Sequence, residues 1–231
     1  MGKQTVRERL AHAAFDLFDE RGYEQTTVDE IAERAGVGRT TFFRHYRSKE
    51  EVIFPDHDLL LEQIRRRLAT SNSETALVAV SDAVRLVLLH YLEEGDLAHR
   101  RYALTSAVTT LRDREIASVA RYQRLFREFI SAWMSQSPQA DPQAPLRAEL
   151  MAAAVVAAHN HVLRRWLRGE SADPVAEVDT AMREVIALFS GAGFADGPRA
   201  RAASGTTIVA FSTDQEISTL LPALQRLIDG G

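Results

Sequence analysis

Residues 34–49 read RAGVGRTTFFRHYRSK, a glycine-centred turn that leads into a short basic segment. The stretch holds five basic residues and no acidic one, whereas the whole 231-residue chain carries 28 Lys and Arg against 32 Asp and Glu. Without those five bases the chain would keep 23 basic residues against the same 32 acidic ones. An acidic chain that concentrates positive charge in sixteen residues presents a local surface suited to a polyanion.

Capping signals place this basic stretch among helices. In the S/T-x-x-E capping box, each partner's side chain bonds the other's free backbone N–H at the start of a helix. The box occurs at Thr5–Glu8, Thr27–Glu30 and Ser48–Glu51. It predicts helices from Thr5 to Gly22, from Thr27 to Gly36 and from Ser48 to about Ala69, with a further short helix from Gly38 to Tyr46.

Helical patterns continue to about residue 190. Residues 74–94 are apolar on nearly every face, as expected of a helix surrounded by other helices. Further helices are predicted at about 97–109, 112–136, 145–168 and 174–190, separated by loops rich in Pro, Asp and Ser. We therefore expect an all-α fold, with an N-terminal three-helix helix-turn-helix domain and a larger helical domain.

The last forty residues differ from the rest. Residues 191–205 are typical of a flexible linker, and their GAGFADG is no dinucleotide fingerprint, because its third glycine is one position late and no strand precedes it. TTIVAF at 206–211 predicts a strand, and the pair Thr213–Glu216 begins an amphipathic helix. We expect the helix of this C-terminal strand-plus-helix extension to pack against the larger helical domain of its own or a partner subunit, with disorder of the tail as the alternative.

Composition excludes several classes of function. The chain has no cysteine, so it forms no disulfide and uses neither thiolate catalysis nor cysteine-ligated metal. No apolar run reaches the roughly 18 residues of a membrane span, and the N-terminus lacks the apolar centre of a signal peptide. We expect a cytoplasmic protein that needs no cofactor and no metal.

Helical geometry sorts the basic segment into two faces. At about 100° per residue, Phe42 and Tyr46 point to one side, while Thr40 and Arg44 point to the other. Arg39, in the first turn, is long enough to reach round to the second face. Because arginine bonds guanine O6 and N7 and threonine bonds base edges, this second face is suited to reading a DNA major groove.

Residues 5–53 resemble the DNA-binding domain of the tetracycline-repressor (TetR/AcrR) family, on the pieces RGY, TTVDEIAERAGV, TFF-RHY and SKEE. The resemblance implies a homodimer, a palindromic double-stranded operator and a small-molecule effector bound in the larger helical domain. Two positions depart from the family's usual residues. Gly38 stands where Ser is common, which weakens an N-cap, and Phe43 stands where Tyr is common, which removes a phosphate-bonding hydroxyl.

From these features we expect three regions: a DNA-binding domain at 1–50, an effector-binding and dimerisation domain at 51–190, and the extension at 191–231. The candidate DNA-contacting residues are Thr27, Arg39, Thr40, Thr41, Phe43, Arg44, His45, Tyr46 and Lys49. The candidate pocket residues are Tyr91, Tyr102, Tyr122, Phe126, Phe129, Trp133, His159 and Trp166, although such residues are more often ordinary core. The apolar helices favour a lipophilic effector.

Two helices are expected to form the dimer. The small-residue run AAAVVAA allows close helix approach at 145–168. In the next helix, the stripe Val175, Val178, Met182, Val185, Ile186 and Phe189 recurs at helical spacing. His159 and His161 cannot share a metal, because residues two apart on a helix point about 200° apart. A packing or dimer-contact role is expected instead.

A ligand-responsive repressor is the leading hypothesis, and two other classes remain alternatives. An enzyme is disfavoured because the sequence shows no Ser/His/Asp set, no phosphate loop and no metal-spaced cluster. A helical scaffold or partner-binding protein with a vestigial DNA-binding domain is disfavoured by the intact basic and threonine residues at 39–49.

Overall fold

The computed structural model describes residues 4–136 and 142–190, and in these ranges every regular element is helical, as predicted. The predicted linker, strand and helix of 191–231 lie outside the described residues. The helices are α1 Val6–Arg21, α2 Val28–Arg34, α3 Arg39–His45, α4 His57–Ala69, α5 Ala76–Glu94, α6 Asp96–Ala107, α7 Thr109–Met134, α8 Ala144–Leu167 and α9 Pro174–Ser190. A 3-10 turn, Glu50–Val52, lies between α3 and α4.

The first two predicted capping boxes are confirmed. Thr5 and Thr27 each accept a hydrogen bond from the backbone N–H three residues later, and Glu8 and Glu30 bond back to the cap N–H. Gly22 ends α1 with φ of 90°, a left-handed value that residues with a side chain rarely adopt. These caps fix the starts of α1 and α2 from local sequence alone.

The predicted continuous helix from Ser48 to Ala69 is wrong. The structure has the 3-10 turn at Glu50–Val52, and α4 begins only at His57, with the Asp56 side chain accepting a hydrogen bond from the N–H of Leu59. Pro55 explains the break: it has no N–H to give to a helix and disfavours helical geometry at Phe54. The α4 helix is therefore a separate element with its own cap.

Two groups of buried residues form the core. The first comes mainly from α1, α2, α3 and residues 52–54, and also includes Leu111 of α7. The second unites α4, α5, α7, α8 and α9. Helix α5 is buried through Ala79, Ala83 and Leu88, but Val78 and Leu89 of the same helix are exposed. Its apolar sequence thus predicted more burial than it has.

No helix in the described ranges is both long enough and apolar enough to cross a membrane.

Candidate nucleic-acid interface

Helix α3 is held to the N-terminal core by one side and presents the other to solvent. Phe42 is fully buried and Tyr46 nearly so, whereas Thr40 and Arg44 are exposed. This is the orientation that helical geometry predicts. Gly38 precedes the helix in extended conformation and provides no side-chain cap, so the start of α3 depends on this packing.

Arg44 is the arginine of this face that remains available. Its guanidinium has no hydrogen-bond or ion-pair partner within residues 4–136 and 142–190. Arg39 instead bonds Asp29 Oδ1 at 2.6 Å, and its guanidinium carbon lies 5.2 Å from the ring centroid of Phe43. Both members of the Arg39–Asp29 pair are more than half exposed, so the pair is weak in water. An incoming base or phosphate can compete for Arg39.

Two further basic residues of the opening stretch, Arg34 and Lys49, are engaged within the protein. Arg34 makes two hydrogen bonds of 2.7 Å to Glu20, and the pKa of that carboxyl is lowered by this bond. Lys49 Nζ donates to the Tyr23 carbonyl at 2.7 Å and lies 4.2 Å from the Tyr23 ring centroid. The free positive charge is therefore smaller than the count of bases in the sequence indicates.

Four other predicted contacts have different surroundings. Thr27 is exposed, but its hydroxyl donates to Glu30 at 2.8 Å as part of the capping box. Thr41 and His45 are partly exposed. Tyr46 is buried, and its hydroxyl donates to the Arg7 carbonyl at 3.2 Å. A DNA contact by the Tyr46 hydroxyl requires that bond to break, and in the structure the bond joins α3 to α1.

The N-terminal core is connected to the larger helical body by arginines. Arg100 of α6 bonds Asp16 and Asp19 of α1, at 3.0 and 2.8 Å. Arg7 of α1 forms an ion pair of 3.3 Å with Asp56, the cap of α4. Helix α1, against which α3 packs through Tyr46, is thus linked to α4 and α6.

A small cavity lies in the larger helical body, with a volume of about 70 Å³. Four predicted pocket residues line it: Tyr91, Tyr122, Phe126 and His159. The rest of the lining is His57, Val84, Val87, Glu115, Ser118, Val119, Val156, Asn160 and Leu163. Of these, His57, Glu115, Ser118 and Asn160 are polar residues that the sequence analysis missed, since nothing in their local pattern separates them from surface positions.

Four other predicted pocket residues do not line this cavity. Trp133 donates to the Ser73 carbonyl at 2.9 Å, and Trp166 packs against His99 in a tilted arrangement with ring centroids 4.4 Å apart. The Tyr102 hydroxyl accepts from Arg168 at 3.0 Å, and Phe129 packs against the larger core. Phe129, Trp133 and Trp166 are partly buried packing residues of the larger core.

Two histidines of the cavity are held neutral. Burial lowers the pKa of His57 to about 4 and that of His159 to about 4. His159 is buried within its own chain, which supports packing rather than dimer contact, while His161 is exposed. The described residues contain no group of histidines and carboxylates able to hold a metal ion.

The predicted dimer stripe of α9 is largely used within the chain. Val178, Met182 and Val185 are buried in the larger core, so most of the stripe packs against the chain's own helices. The exposed apolar side chains of these helices lie elsewhere: Leu146 and Leu150 on α8 are 59% and 46% exposed, and Leu188 on α9 is 70% exposed. The predicted stripe of α9 is not free for a dimer because α9 needs one apolar side to pack against its own chain.

Comparison with known proteins agrees with this geometry. Residues 10–54 match the family model described as bacterial regulatory proteins, tetR family. The regulator TcmR of Streptomyces glaucescens is 36% identical over 126 residues, which span 54% of this chain and 55% of TcmR. MftR of Mycobacterium tuberculosis is 27% identical over 173 residues, spanning 73% of this chain and 83% of MftR. The chain thus spans only about half the length of TcmR.

Among solved structures, a SmeT–triclosan complex superposes with a TM-score of 0.56 and 18% identity, over 80% of this chain and 91% of that one. SmeT is the repressor of a multidrug efflux pump in Stenotrophomonas maltophilia. At 18% sequence identity the structural similarity shows the fold alone. The shared fold covers both the larger helical body and the N-terminal helix-turn-helix domain, α1 to α3, which is called the reading head below. The helix-turn-helix geometry and the family match agree over residues 10–54, which are similar to the DNA-binding domain of the tetR family of bacterial regulatory proteins.

Proposed function

We propose that this chain is a transcription repressor that binds a palindromic operator and is released from it by a small lipophilic effector. In this proposal residues 1–50 bind DNA, and residues 51–190 bind the effector and form the dimer. The observation that carries it is the division of α3, with Phe42 buried and Thr40 and Arg44 exposed on the opposite side.

The contacts of α3 suggest separate roles in DNA recognition. An unpaired, exposed arginine can bond guanine O6 and N7 in the major groove, which is the commonest specific contact to a base. Arg44 fits this role, with Thr40 and Thr41 beside it. In this proposal Arg39, His45 and Thr27 contact phosphates, which set register without reading sequence.

A homodimer through α8 and α9 supplies the second reading head. On α8, Leu146, Leu150, Ala153 and Ala157 recur at intervals of four, three and four residues, and so lie on one outward side. Exposed leucines beside small residues favour close helix packing between two copies. A two-fold dimer then requires a palindrome with half-sites about 34 Å, or one DNA turn, apart.

An effector acts only if it binds the DNA-binding and released states unequally. The aliphatic and aromatic lining of the cavity supports a lipophilic compound, and the complex of SmeT with triclosan is a neighbour of the same fold. At about 70 Å³ the cavity is smaller than the roughly 300 Å³ of ordinary ligand pockets, so binding must widen it. His57, the first residue of α4, lines its wall, which connects widening to the α4 helix below the reading head.

Selection of genomic fragments by the purified protein tests the proposal. Recovery of one enriched palindrome, with protection of two half-sites by the dimer, is the expected result. Uniform retention of all fragments, or retention of none, would remove the DNA-reading function. Fragments that are enriched without two-fold symmetry would instead remove the dimeric reading mode.

A further inference from the structure

Two histidines of the cavity wall each have a buried imidazole nitrogen without a protein partner among the described residues. The Nε2 atoms of His57 and His159 are both inaccessible to solvent and have no hydrogen-bond partner within the described residues. Both residues line the cavity, and His159 is only 8% exposed. Leaving a buried polar atom without a hydrogen bond destabilises the protein by about 1–3 kcal/mol. A ligand group that forms a hydrogen bond with either nitrogen removes this penalty and therefore binds more tightly.

The other ring nitrogens indicate what each Nε2 requires. His159 Nδ1 lies 3.2 Å from Asn160 Oδ1, an oxygen that can only accept, so Nδ1 carries the proton and Nε2 is a bare acceptor. His57 Nδ1 lies 2.9 Å from the Tyr122 hydroxyl. If that hydroxyl donates to Nδ1, only the Nε2 proton is left unpaired, whereas the reverse arrangement leaves both the hydroxyl proton and Nε2 unpaired. The first arrangement therefore costs less, and it puts the proton on His57 Nε2.

The remaining lining limits the charge of a ligand. No Lys or Arg is among the described residues of the cavity wall, and Glu115 is its one ionisable carboxyl. A ligand carboxylate would therefore contact no cationic side chain of the wall itself and would face the like charge of Glu115. Three aromatic rings, of Tyr91, Tyr122 and Phe126, line the space beside valines, and aromatic rings pack favourably against one another.

We propose that the effector is an uncharged phenolic carbonyl compound whose hydroxyl donates to His159 Nε2 and whose carbonyl accepts from the N–H of His57. This assignment rests on the proposed effector site and adds its chemistry. Burial, which holds both imidazoles neutral, keeps the donor and acceptor roles distinct near neutral pH. An aromatic ring needs more room than the cavity now has, and the wall that must yield includes His57 at the start of α4.

Four monoaromatic probes test this chemistry by calorimetric titration of the full chain at slightly acidic pH. Para-hydroxyacetophenone carries both groups, para-methoxyacetophenone lacks the donor, para-ethylphenol lacks the carbonyl, and para-hydroxybenzoate is charged. Loss of either group should weaken binding about fivefold to tenfold relative to para-hydroxyacetophenone, and the carboxylate should bind more weakly still. Equal affinity for the three uncharged probes, tightest binding of the carboxylate, or binding of none of them would overturn the assignment.

Matched variants locate the contacts. His159→Leu should abolish the preference for hydroxyl over methoxyl, while His159→Gln, which keeps an acceptor at that depth, should retain part of it. His161→Leu, an exposed neighbour on the same helix, should leave the preference unchanged. The same preference in His159→Leu as in the unsubstituted protein contradicts the proposal, provided that thermal melting shows the variant folded.

Operator release is measured separately with the fragment obtained by selection. If the probes bind with the expected preference but do not release the operator, the ligand chemistry is supported. The proposal that the regulator responds to this ligand is then disproved. Failure of the probes to bind, with intact operator recognition, leaves the regulator and removes the phenolic class. The two outcomes are therefore distinguishable.

Discussion

The guanidinium of Arg101 joins two parts of the molecule through Ile53: its Nε donates a 2.5 Å hydrogen bond to the Ile53 carbonyl, just before α4. Its terminal nitrogens bond both oxygens of Glu94, at the end of α5, at 2.6 and 2.7 Å. Arg101 is 5% exposed and its guanidinium carbon lies 5.7 Å from the ring centroid of Tyr91, which lines the cavity. The Arg101 side chain thus contacts both the segment just before α4 and Tyr91, a residue of the cavity wall.

Arg101→Met should destabilise the protein strongly, because it leaves Glu94 and the Ile53 carbonyl without their partner. Breaking a buried ion pair by removing one member costs about 3–5 kcal/mol, and the lower part of that range is expected since Glu94 retains some exposure. Urea unfolding measures the loss. Arg66→Met is the matched control, as its pair with Glu62 is exposed on one helix and should change stability by less than about 0.5 kcal/mol.

Arg44→Ala should weaken operator binding by about 1–3 kcal/mol and relax the sequence preference at one base pair. The reason is that Arg44 is an exposed arginine of α3 whose guanidinium has no protein partner among the described residues. Titrating the variant against the operator and against single-base substitutions of it measures both effects. Arg34→Ala removes a charge that Glu20 already engages and should have a much smaller effect. An equal loss on operator and random DNA for Arg44→Ala would assign Arg44 to a phosphate.

Lys49→Ala should weaken binding to all DNA sequences alike if the ammonium reaches a phosphate, with the salt dependence reduced by about one charge per subunit. In the structure that ammonium bonds the Tyr23 carbonyl, so the same substitution should also lower stability modestly. Affinity measured over a range of salt concentrations, beside the melting temperature, separates the two effects. An unchanged salt slope with reduced stability would make Lys49 a structural residue only.

Stability should fall as the pH drops from about 6.5 to about 4. The pKa of both His57 and His159 is lowered by burial to about 4, below the ordinary value of 6.5, so the unfolded chain binds more protons in this window. The stability that depends on neutral imidazoles is fully present above about pH 6.5 and is lost as the pH falls towards 4. Urea unfolding across the window should show the decline, and His159→Gln should make it shallower. A profile that is flat there would contradict both shifts.

Leu150→Glu should disrupt the dimer, because it places a charge in the centre of the outward apolar side of α8. Sedimentation at micromolar concentration should show the variant as a monomer and the unsubstituted protein as a dimer. Val78→Glu is the control, since Val78 is 57% exposed on a different helix, α5. Dissociation of both variants, or of neither, would place the dimer interface elsewhere.

Local sequence determined the reading head. The two capping boxes at Thr5 and Thr27 and the spacing of Phe42 and Tyr46 against Thr40 and Arg44 depend only on residues within a few positions of one another. Such signals survive in any tertiary context, because a cap and a helix face are set by backbone geometry. The family resemblance and the all-α class followed from the same short stretches.

Tertiary structure decided which of those side chains are free and which aromatic residues surround a cavity. The pairing of Arg34 with Glu20, the bond from Lys49 to Tyr23 and the position of Arg101 beside Ile53 join residues from 14 to 48 positions apart. Likewise, only packing separates Tyr122 and His159, which line the cavity, from Trp133 and Trp166, which do not. Partners in space follow from how helices cross, and helix crossing depends on the whole core, which no local pattern encodes.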